Sequence, residues 1–118
     1  MNYYVYLIGM EGTNTCKIGY TKEKKGPEGR IKELQTGCPF KLHVLGSYLS
    51  EFGNKLEGIM HRHHASKKMD EDMKELQGEW FDLTDDDINS FESECESNEK
   101  VIRMILETST FDDPLKYL

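Results

Sequence analysis

A chain of 118 residues with 36% hydrophobic residues makes one domain with a small core. No run of 18 apolar residues and no basic-then-apolar leader is present, so we expect neither a membrane span nor a secretory signal. Three widely spaced cysteines argue against a disulfide scaffold or a zinc cluster, and predict a reducing, cytoplasmic setting.

The net charge of −7 is unevenly distributed along the chain. Residues 1–68 hold 11 Lys or Arg against 6 Asp or Glu, a net charge of +5. Residues 69–118 hold 4 against 16, a net charge of −12. Solvated surface on both halves explains this pattern. The alternative is a basic phosphate-binding face with an acidic segment that limits non-specific binding.

The first twenty residues predict a β-hairpin. Residues 3–8 are aromatic and β-branched, residues 9–14 contain two glycines and an asparagine, and residues 15–20 form a second short strand. Odd and even positions of the first strand are both largely apolar, so we expect this strand to be central. The hydroxyl of Tyr6 in such a strand needs a partner or a function.

A helix and a third strand are expected next. Pro27 suits the first turn of a helix over residues 28–36, and Gly37 suits its end. Residues 42–49 predict a strand. Asn54 is predicted to cap a second helix, with Glu57 three residues later as in a capping box.

The second half ends in a long amphipathic helix. Residues 67–77 predict a mobile, charged connection, and residues 78–83 a final strand. Thr84 precedes three acidic residues, a strong signal for a helix start. A helix of roughly twenty residues follows, because apolar side chains recur at helical spacing, namely Ile88, Phe91, Cys95, Ile102 and Ile105. This helix is a lid on the sheet or, alternatively, the seam of a homodimer.

The order of elements is β-β-α-β-α-β-α. It predicts an α+β fold, with a small mixed or antiparallel sheet of about four strands flanked by helices. We expect residues 1–84 to form the main domain. Residues 85–118 would add an acidic C-terminal helix and a tail packed on that domain.

Three polar residues near the hairpin are candidates for an anion site. Tyr6, Lys17 and Arg30 would together offer two cations for phosphate oxygens and a hydroxyl able to exchange a proton. Taken one at a time, each has a plainer explanation. Tyr6 can be a core tyrosine, and the two cations can be solvated surface.

Glu57 is a second candidate, because it lies on the apolar side of its helix. His61 follows at i+4, so the pair could form half of a divalent-metal site, or His61 could contact phosphate. A full zinc site is not expected, since paired-cysteine and HExxH spacings are absent. His61, His63 and His64 cannot all point in one direction from one helix.

These residues together resemble a known nuclease superfamily. Tyr4-Val5-Tyr6, then Lys17-Ile18-Gly19, then Arg30 in a helix and Glu57 in a later helix, resemble the motifs of the GIY-YIG superfamily. Two positions depart from its usual pattern. Tyr4 stands where glycine is usual, and Lys17 where tyrosine is usual, although some restriction enzymes have lysine there.

A narrower resemblance is to a small branch of that superfamily. It is named after a phage T5 open reading frame and a meiotically up-regulated fungal gene. Its landmarks here are Lys-Ile-Gly-Tyr-Thr over 17–21, Arg30, the stretch from Glu57 to Met60 and His61, and the run over 78–83. The match covers about residues 3–84, and a phage or bacterial origin is in keeping with it.

The resemblance implies metal-dependent cleavage of a phosphodiester. One divalent ion, Mg²⁺ or Mn²⁺, would be held by Glu57. Tyr6 would activate or orient the attacking water, and Arg30 would stabilise the pentacovalent phosphate. Lys17 would contact phosphate or help to deprotonate the tyrosine. Tyr20 stands where some members have histidine and would be an auxiliary proton carrier, and His61 matches a typical residue of the small branch.

The predicted function is a metal-dependent DNA endonuclease or nicking domain. Four further basic residues are predicted to contact the nucleic acid, namely Lys22, Lys24, Lys25 and Arg62. One alternative is a nucleic-acid-binding or regulatory module that cleaves poorly, which the acidic C-terminal half favours. Another is a phage-type interaction or inhibitor protein that uses the long helix. No appended DNA-reading module is present, so weak or structure-directed cutting is expected.

Overall fold

The computed structural model of the chain describes residues 1–69 and 79–108. Its centre is a sheet of four antiparallel strands in the order β3-β1-β2-β4. The strands are β1 (Tyr3–Met10), β2 (Thr15–Lys22), β3 (Leu42–Ser50) and β4 (Trp80–Asp82). The prediction of a central first strand is confirmed, since β1 pairs with β2 on one side and with β3 on the other.

Helices cover both faces of this sheet, so the predicted α+β class is confirmed. They are α1 (Gly26–Gln35), α2 (Gly53–His63), α3 (Asp85–Asn89) and α4 (Phe91–Thr108), with a 3₁₀ turn at Ala65–Lys67. Within the described ranges, no helix is long and apolar enough to span a bilayer.

The core is divided by the sheet into two parts. Val5 and Leu7 of β1 point towards α2 and α4, which contribute apolar side chains to the same cluster. Tyr6 and Ile8 point to the opposite face, where Leu34 of α1 covers them. The alternating pattern of β1 therefore serves two cores, which explains why both of its faces are apolar.

Helix α1 ends much as the sequence predicts. Pro27 lies in its first turn, and Gly37 lies just after its end with φ of +81°, a conformation that glycine adopts without strain. The observed helix begins and ends slightly earlier than predicted. Its buried residue is Leu34, with Ile31 partly buried beside it.

The predicted cap of α2 is wrong. The helix begins at Gly53 after Phe52, which makes no side-chain cap, and Asn54 lies inside the first turn. A Cβ at Gly53 would stand 2.4 Å from the Cβ of Tyr3, so the start of α2 lies against β1 at a distance that only glycine permits. Glu57 is therefore not engaged in a capping box.

The C-terminal helix is broken where the sequence predicts one continuous helix. Thr84 and Asp87 form the expected capping box on α3, but α3 ends at Asn89 and a new helix begins at Phe91. The apolar stripe of α4 is buried in the core of the same chain, at Phe91, Cys95 and Ile102. Those side chains form a lid on the sheet, not an exposed seam.

Two predicted segments fall partly or wholly outside the described residues. Most of the connection over 67–77 lies there, as does nearly all of the tail after residue 108. The final strand predicted over 78–83 is observed as β4, three residues at the edge of the sheet.

Candidate active site

An open cleft of about 1060 Å³ is lined by residues of β1, β2, α1 and α2. Tyr6, Lys17, Arg30 and Glu57 each come from a different one of these four elements, and all four line the cleft. The fold therefore brings together the four residues that the sequence pattern selects.

Gly19 makes room for Tyr6 in this cleft. The two residues are directly opposite each other in the pairing of β1 with β2. A Cβ at position 19 would stand 2.3 Å from the Tyr6 hydroxyl and 2.5 Å from Cζ. The glycine is required because the tyrosine side chain occupies the space in which any other side chain would begin.

The Tyr6 hydroxyl is held by Arg30. The tyrosine is 2% exposed, and its hydroxyl shares a side-chain hydrogen bond with the guanidinium. Burial raises the pKa of Tyr6, while Arg30 opposes that rise. The side chain is therefore a neutral phenol at physiological pH, with its oxygen fixed beside a permanent cation.

Lys17 lies deeper in the cleft than a surface lysine would. It is 8% exposed, and its Nζ lies 5.9 Å from the centre of the Trp80 ring. Burial, and then the charge of Arg30, lower the pKa of Lys17, and Glu57 and Glu79 act in the opposite direction. Lys17 therefore gives up its proton more readily than an exposed lysine.

Glu57 is a partly buried carboxylate on the α2 wall of the cleft. Burial raises its pKa, whereas His61 and Lys17 lower it. His61 is positioned by three oxygens. Its Nδ1 lies 2.9 Å from Glu79 Oε2, and its Nε2 lies 2.7 Å from the carbonyl oxygen of Ile18 and 3.6 Å from Glu57 Oε1.

Glu33 is a second acidic residue that bears on the site. It forms ion pairs with both Lys25 and Arg30. The hydrogen bonds from these two cations lower the pKa of Glu33. A phosphate that binds Arg30 has to compete with this carboxylate.

Comparison with protein families identifies the chain. A family model described as the T5orf172 domain matches residues 3–105. The chain belongs to the T5orf172 domain family. This is a nuclease-like or DNA-binding family. A search of curated proteins and a search of solved structures gave no significant match.

The predicted nucleic-acid contacts of this T5orf172 domain are only partly at the cleft. Lys22 and Lys25 line it, as does Tyr20, whose ring packs edge-on against Tyr3 at 6.0 Å. Lys24 is exposed but does not line the cleft, and Arg62 is exposed on α2 away from it.

Sequence reasoning missed two residues of the T5orf172 cleft. Lys55 adds a cation to the lining, and Glu79 holds His61 and accepts an ion pair from Lys68 at 2.9 Å. The sequence could have indicated Lys55, because it lies two residues before the motif residue Glu57. The sequence could not have indicated Glu79, because its role depends on the pairing of β4 with β2.

The donor set of the cleft fits a hard divalent cation. Glu57 offers one carboxylate at the cleft, and ions such as Mg²⁺ take few protein ligands and keep several waters. Among the described residues, the group that converges three ligand atoms lies elsewhere, at His63, His64 and Glu94. As predicted, His61, His63 and His64 do not all point in one direction, since His61 lines the cleft and the other two do not.

Proposed function

We propose that this T5orf172 domain is a metal-dependent endonuclease of the GIY-YIG type, which hydrolyses or nicks DNA. One observation carries the proposal. A phenol, a lysine, an arginine and a carboxylate, delivered by four different elements, line a single open cleft. This set supplies the groups that hydrolysis of a phosphodiester requires.

Arg30 and Tyr6 would act on the reacting phosphate and the attacking water. The guanidinium is placed to stabilise the negative charge that grows on the phosphate oxygens as water adds to phosphorus. The Tyr6 hydroxyl, fixed by Arg30, orients that water. As the new O–P bond forms, the bond to the leaving oxygen of the sugar breaks.

Lys17 would receive the proton of the water, directly or through Tyr6. Burial lowers the pKa of Lys17, which favours its neutral amine, and raises the pKa of Tyr6, which disfavours its phenolate. The base of the reaction is therefore Lys17, and Tyr6 is the group that positions the water. Of the two roles that the family resemblance leaves open for Tyr6, activating or orienting the water, this assignment takes the second.

Glu57 would hold one Mg²⁺ or Mn²⁺, whose charge stabilises the leaving oxygen. His61 orients that region of the wall through its contacts with Glu79 and Ile18. The cations Lys22, Lys25 and Lys55 at the same cleft would hold the DNA backbone without reading its sequence. We therefore expect weak or structure-directed cutting.

The test is the nicking of supercoiled plasmid by purified protein with Mg²⁺ or Mn²⁺, and again with EDTA. We expect nicking only with the metal. Tyr6→Phe and Glu57→Gln should each lower the rate by about 10²-fold or more, the scale of a lost proton-handling or charge-stabilising group.

Matched controls remove the same chemical groups elsewhere. Tyr48→Phe removes a hydroxyl that bonds Glu99 at 3.1 Å, and Glu96→Gln removes an exposed carboxylate on α4. Both controls should nick at the rate of the parent protein. Equal losses in the controls and in the cleft variants would contradict the proposed site.

The second candidate is a DNA-binding module that does not cleave. The arrangement of Arg30 favours it, because Glu33 already pairs with the guanidinium and Tyr6 is nearly inaccessible. DNA binding without nicking in any divalent metal would establish this function instead. In that case Glu33→Gln should tighten DNA binding, since it frees both Lys25 and Arg30 for phosphate.

A further inference from the structure

A second cluster of metal-ligating side chains lies outside the cleft, where the end of α2 meets α4. His64 Nε2 lies 3.1 Å from Glu94 Oε2, and His63 Nε2 lies 3.9 Å from the same oxygen. The three ligand atoms all lie within 4.8 Å of one another. Two imidazoles and one carboxylate therefore converge on one small volume.

The end of α2 explains how two consecutive histidines reach the same carboxylate. Neighbouring side chains on a continuing helix diverge by about 100°. His63 is the last residue of α2, and His64 leaves the helical conformation with φ of −105° and ψ of 16°. The rings consequently stand perpendicular to each other, with centres 4.8 Å apart.

Glu94 is oriented by a residue behind it. The hydroxyl of Ser90 donates a hydrogen bond of 2.9 Å to Glu94 Oε1, which leaves Oε2 facing the histidines. Such an outer hydrogen bond is a regular feature of carboxylates that ligate metals. Position 90 lies in the break between α3 and α4 and is one turn before Glu94.

Burial is graded across the cluster. His64 is 2% exposed, the Glu94 side chain 22% and the His63 side chain 57%. One side of the cluster is therefore buried, while the other is open to an incoming ion. His63 is also free to change its rotamer, because it is the most exposed of the three.

We propose that His63, His64 and Glu94 form a binding site for a transition-metal ion, with Zn²⁺ as the best match. Two nitrogens and one oxygen suit Zn²⁺, whereas Mg²⁺ and Ca²⁺ prefer oxygen ligands alone. Tetrahedral Zn²⁺ bonds of about 2.0 Å place ligand atoms roughly 3.3 Å apart. The pair formed by His64 and Glu94 already has this spacing, and a small movement of His63 completes it.

Zn²⁺ would take the place of the hydrogen bond between His64 and Glu94, since a histidine ligand carries no proton on the ligating nitrogen. The ion would join residues 63 and 64 to residue 94 and so attach α4 to the end of α2. Three protein ligands leave at least one position for water. This site uses none of the proposed nuclease residues, so either proposal can fail without the other.

The test is titration of EDTA-stripped full-length protein with Zn²⁺ against a chromophoric chelator, together with thermal melts. We expect one Zn²⁺ per chain, with a dissociation constant in the micromolar range or tighter. The melting temperature should rise by roughly 10 °C when free Zn²⁺ is about 100 times that constant.

Variants assign the binding to these residues. His63→Gln leaves the buried His64 in place and should weaken Zn²⁺ binding by more than about tenfold. Ser90→Ala should weaken Zn²⁺ binding by about tenfold. His43→Gln and His61→Gln remove the other two histidines of the chain and should leave the affinity unchanged. X-ray absorption at the zinc edge should show two imidazole ligands.

Three results would overturn the proposal. The first is a 1:1 affinity that His63→Gln does not change but His61→Gln abolishes, which would move the ion to the cleft. The second is sulfur in the zinc shell, and the third is no competition with the chelator even though the protein is folded by circular dichroism.

Discussion

At the scale of single residues, burial acts in opposite directions on the pKa values of two titratable groups of the cleft. It raises the pKa of Tyr6 and lowers the pKa of Lys17, because in each case the charged form is the one that loses solvation. The same environment thus makes a tyrosine a poor base and a lysine a better one. The proposed role of Lys17 as the base depends on this difference.

Gly19→Ala tests how closely Tyr6 and β2 are packed. The added methyl would overlap the Tyr6 hydroxyl, so the ring has to move away from Arg30. We expect a loss of about 1–3 kcal/mol in the free energy of unfolding, measured in urea, together with loss of nicking.

Gly58→Ala is the control for that variant. Its Cβ would meet only Arg62, at 3.5 Å, and it lies inside α2. Removing a helical glycine should stabilise the protein by about 0.5–1 kcal/mol. A neutral Gly19→Ala would mean that the tyrosine is not held as described.

The raised pKa of Glu57 predicts that ionisation of this side chain lowers the stability of the fold but is needed for nicking. Because burial raises this pKa, ionised Glu57 destabilises the fold above the folded-state pKa, and this cost disappears below the unfolded-state value. Glu57→Gln should therefore stabilise the protein at about pH 7.5 and have little effect at about pH 4. Metal-dependent nicking should also fail on acidification at a higher pH than an ordinary glutamate would cause.

The free energies of unfolding are measured by urea denaturation of the parent protein and of Glu57→Gln at the two pH values. Glu96→Gln, at an exposed carboxylate, is the control and should show no such difference. A Glu57→Gln protein that is less stable than its parent near neutral pH would contradict the predicted cost.

At the scale of elements, the start of α3 is held by a connected set of hydrogen bonds. Thr84 Oγ1 accepts from the Asp87 amide at 3.1 Å, and Asp87 Oδ2 accepts from the Thr84 amide at 2.9 Å and from Lys67 Nζ at 2.6 Å. Lys67, and then Thr84, lower the pKa of Asp87 to about 2. This stabilisation is therefore present above the ordinary aspartate range and is lost as the pH falls towards about 2.

Thr84→Ala should cost about 1 kcal/mol of the free energy of unfolding, the usual effect of a lost N-cap. Thr108, the last residue of α4, is exposed, and its hydroxyl donates a hydrogen bond of 2.7 Å to the carbonyl oxygen of Met104. Thr108→Ala should be neutral, and the difference between the two is measured by urea denaturation. Equal effects would mean that the capping box does not stabilise the fold.

At the scale of the whole molecule, α4 is a structural part of the domain. Its apolar stripe completes the core on one face of the sheet, and a Cβ at Gly46 of β3 would come within 3.1 Å of the Phe91 ring. The acidic residues of α4 lie on that side, whereas the cleft and its lysines are built from β1, β2, α1 and α2. The acidic helix α4 and the lysines of the cleft are thus contributed by different parts of one fold.

Ile102→Glu and Met104→Glu distinguish the lid from a dimer seam. Ile102 is 0% exposed, so a buried charge there should cost more than about 3 kcal/mol or unfold the domain. Met104 is 62% exposed, so its replacement should change stability by less than about 0.5 kcal/mol.

Thermal melts by circular dichroism give the two stabilities, and light scattering at two concentrations gives the mass of Met104→Glu. A mass of Met104→Glu equal to that of the parent protein is expected. A dimeric parent that becomes monomeric in Met104→Glu would assign α4 a second role as an interface.

Local signals in the sequence were enough for most of the fold. The hairpin, the ends of α1 at Pro27 and Gly37, and the cap at Thr84 were predicted because each depends on residues within a few positions of one another. The grouping of Tyr6, Lys17, Arg30 and Glu57 was predicted from the family resemblance, and the cleft contains all four.

The sequence by itself thus determined the class of fold and the core of the candidate site, while only the tertiary structure decided how those groups behave. The start of α2 at Gly53, the pairing of Arg30 with Glu33 and the contact of His61 with Glu79 are examples. So is the approach of Glu94 to His63 and His64. The physical reason is that burial, close approach and ion pairing arise between whole elements, which no window of neighbouring residues can show.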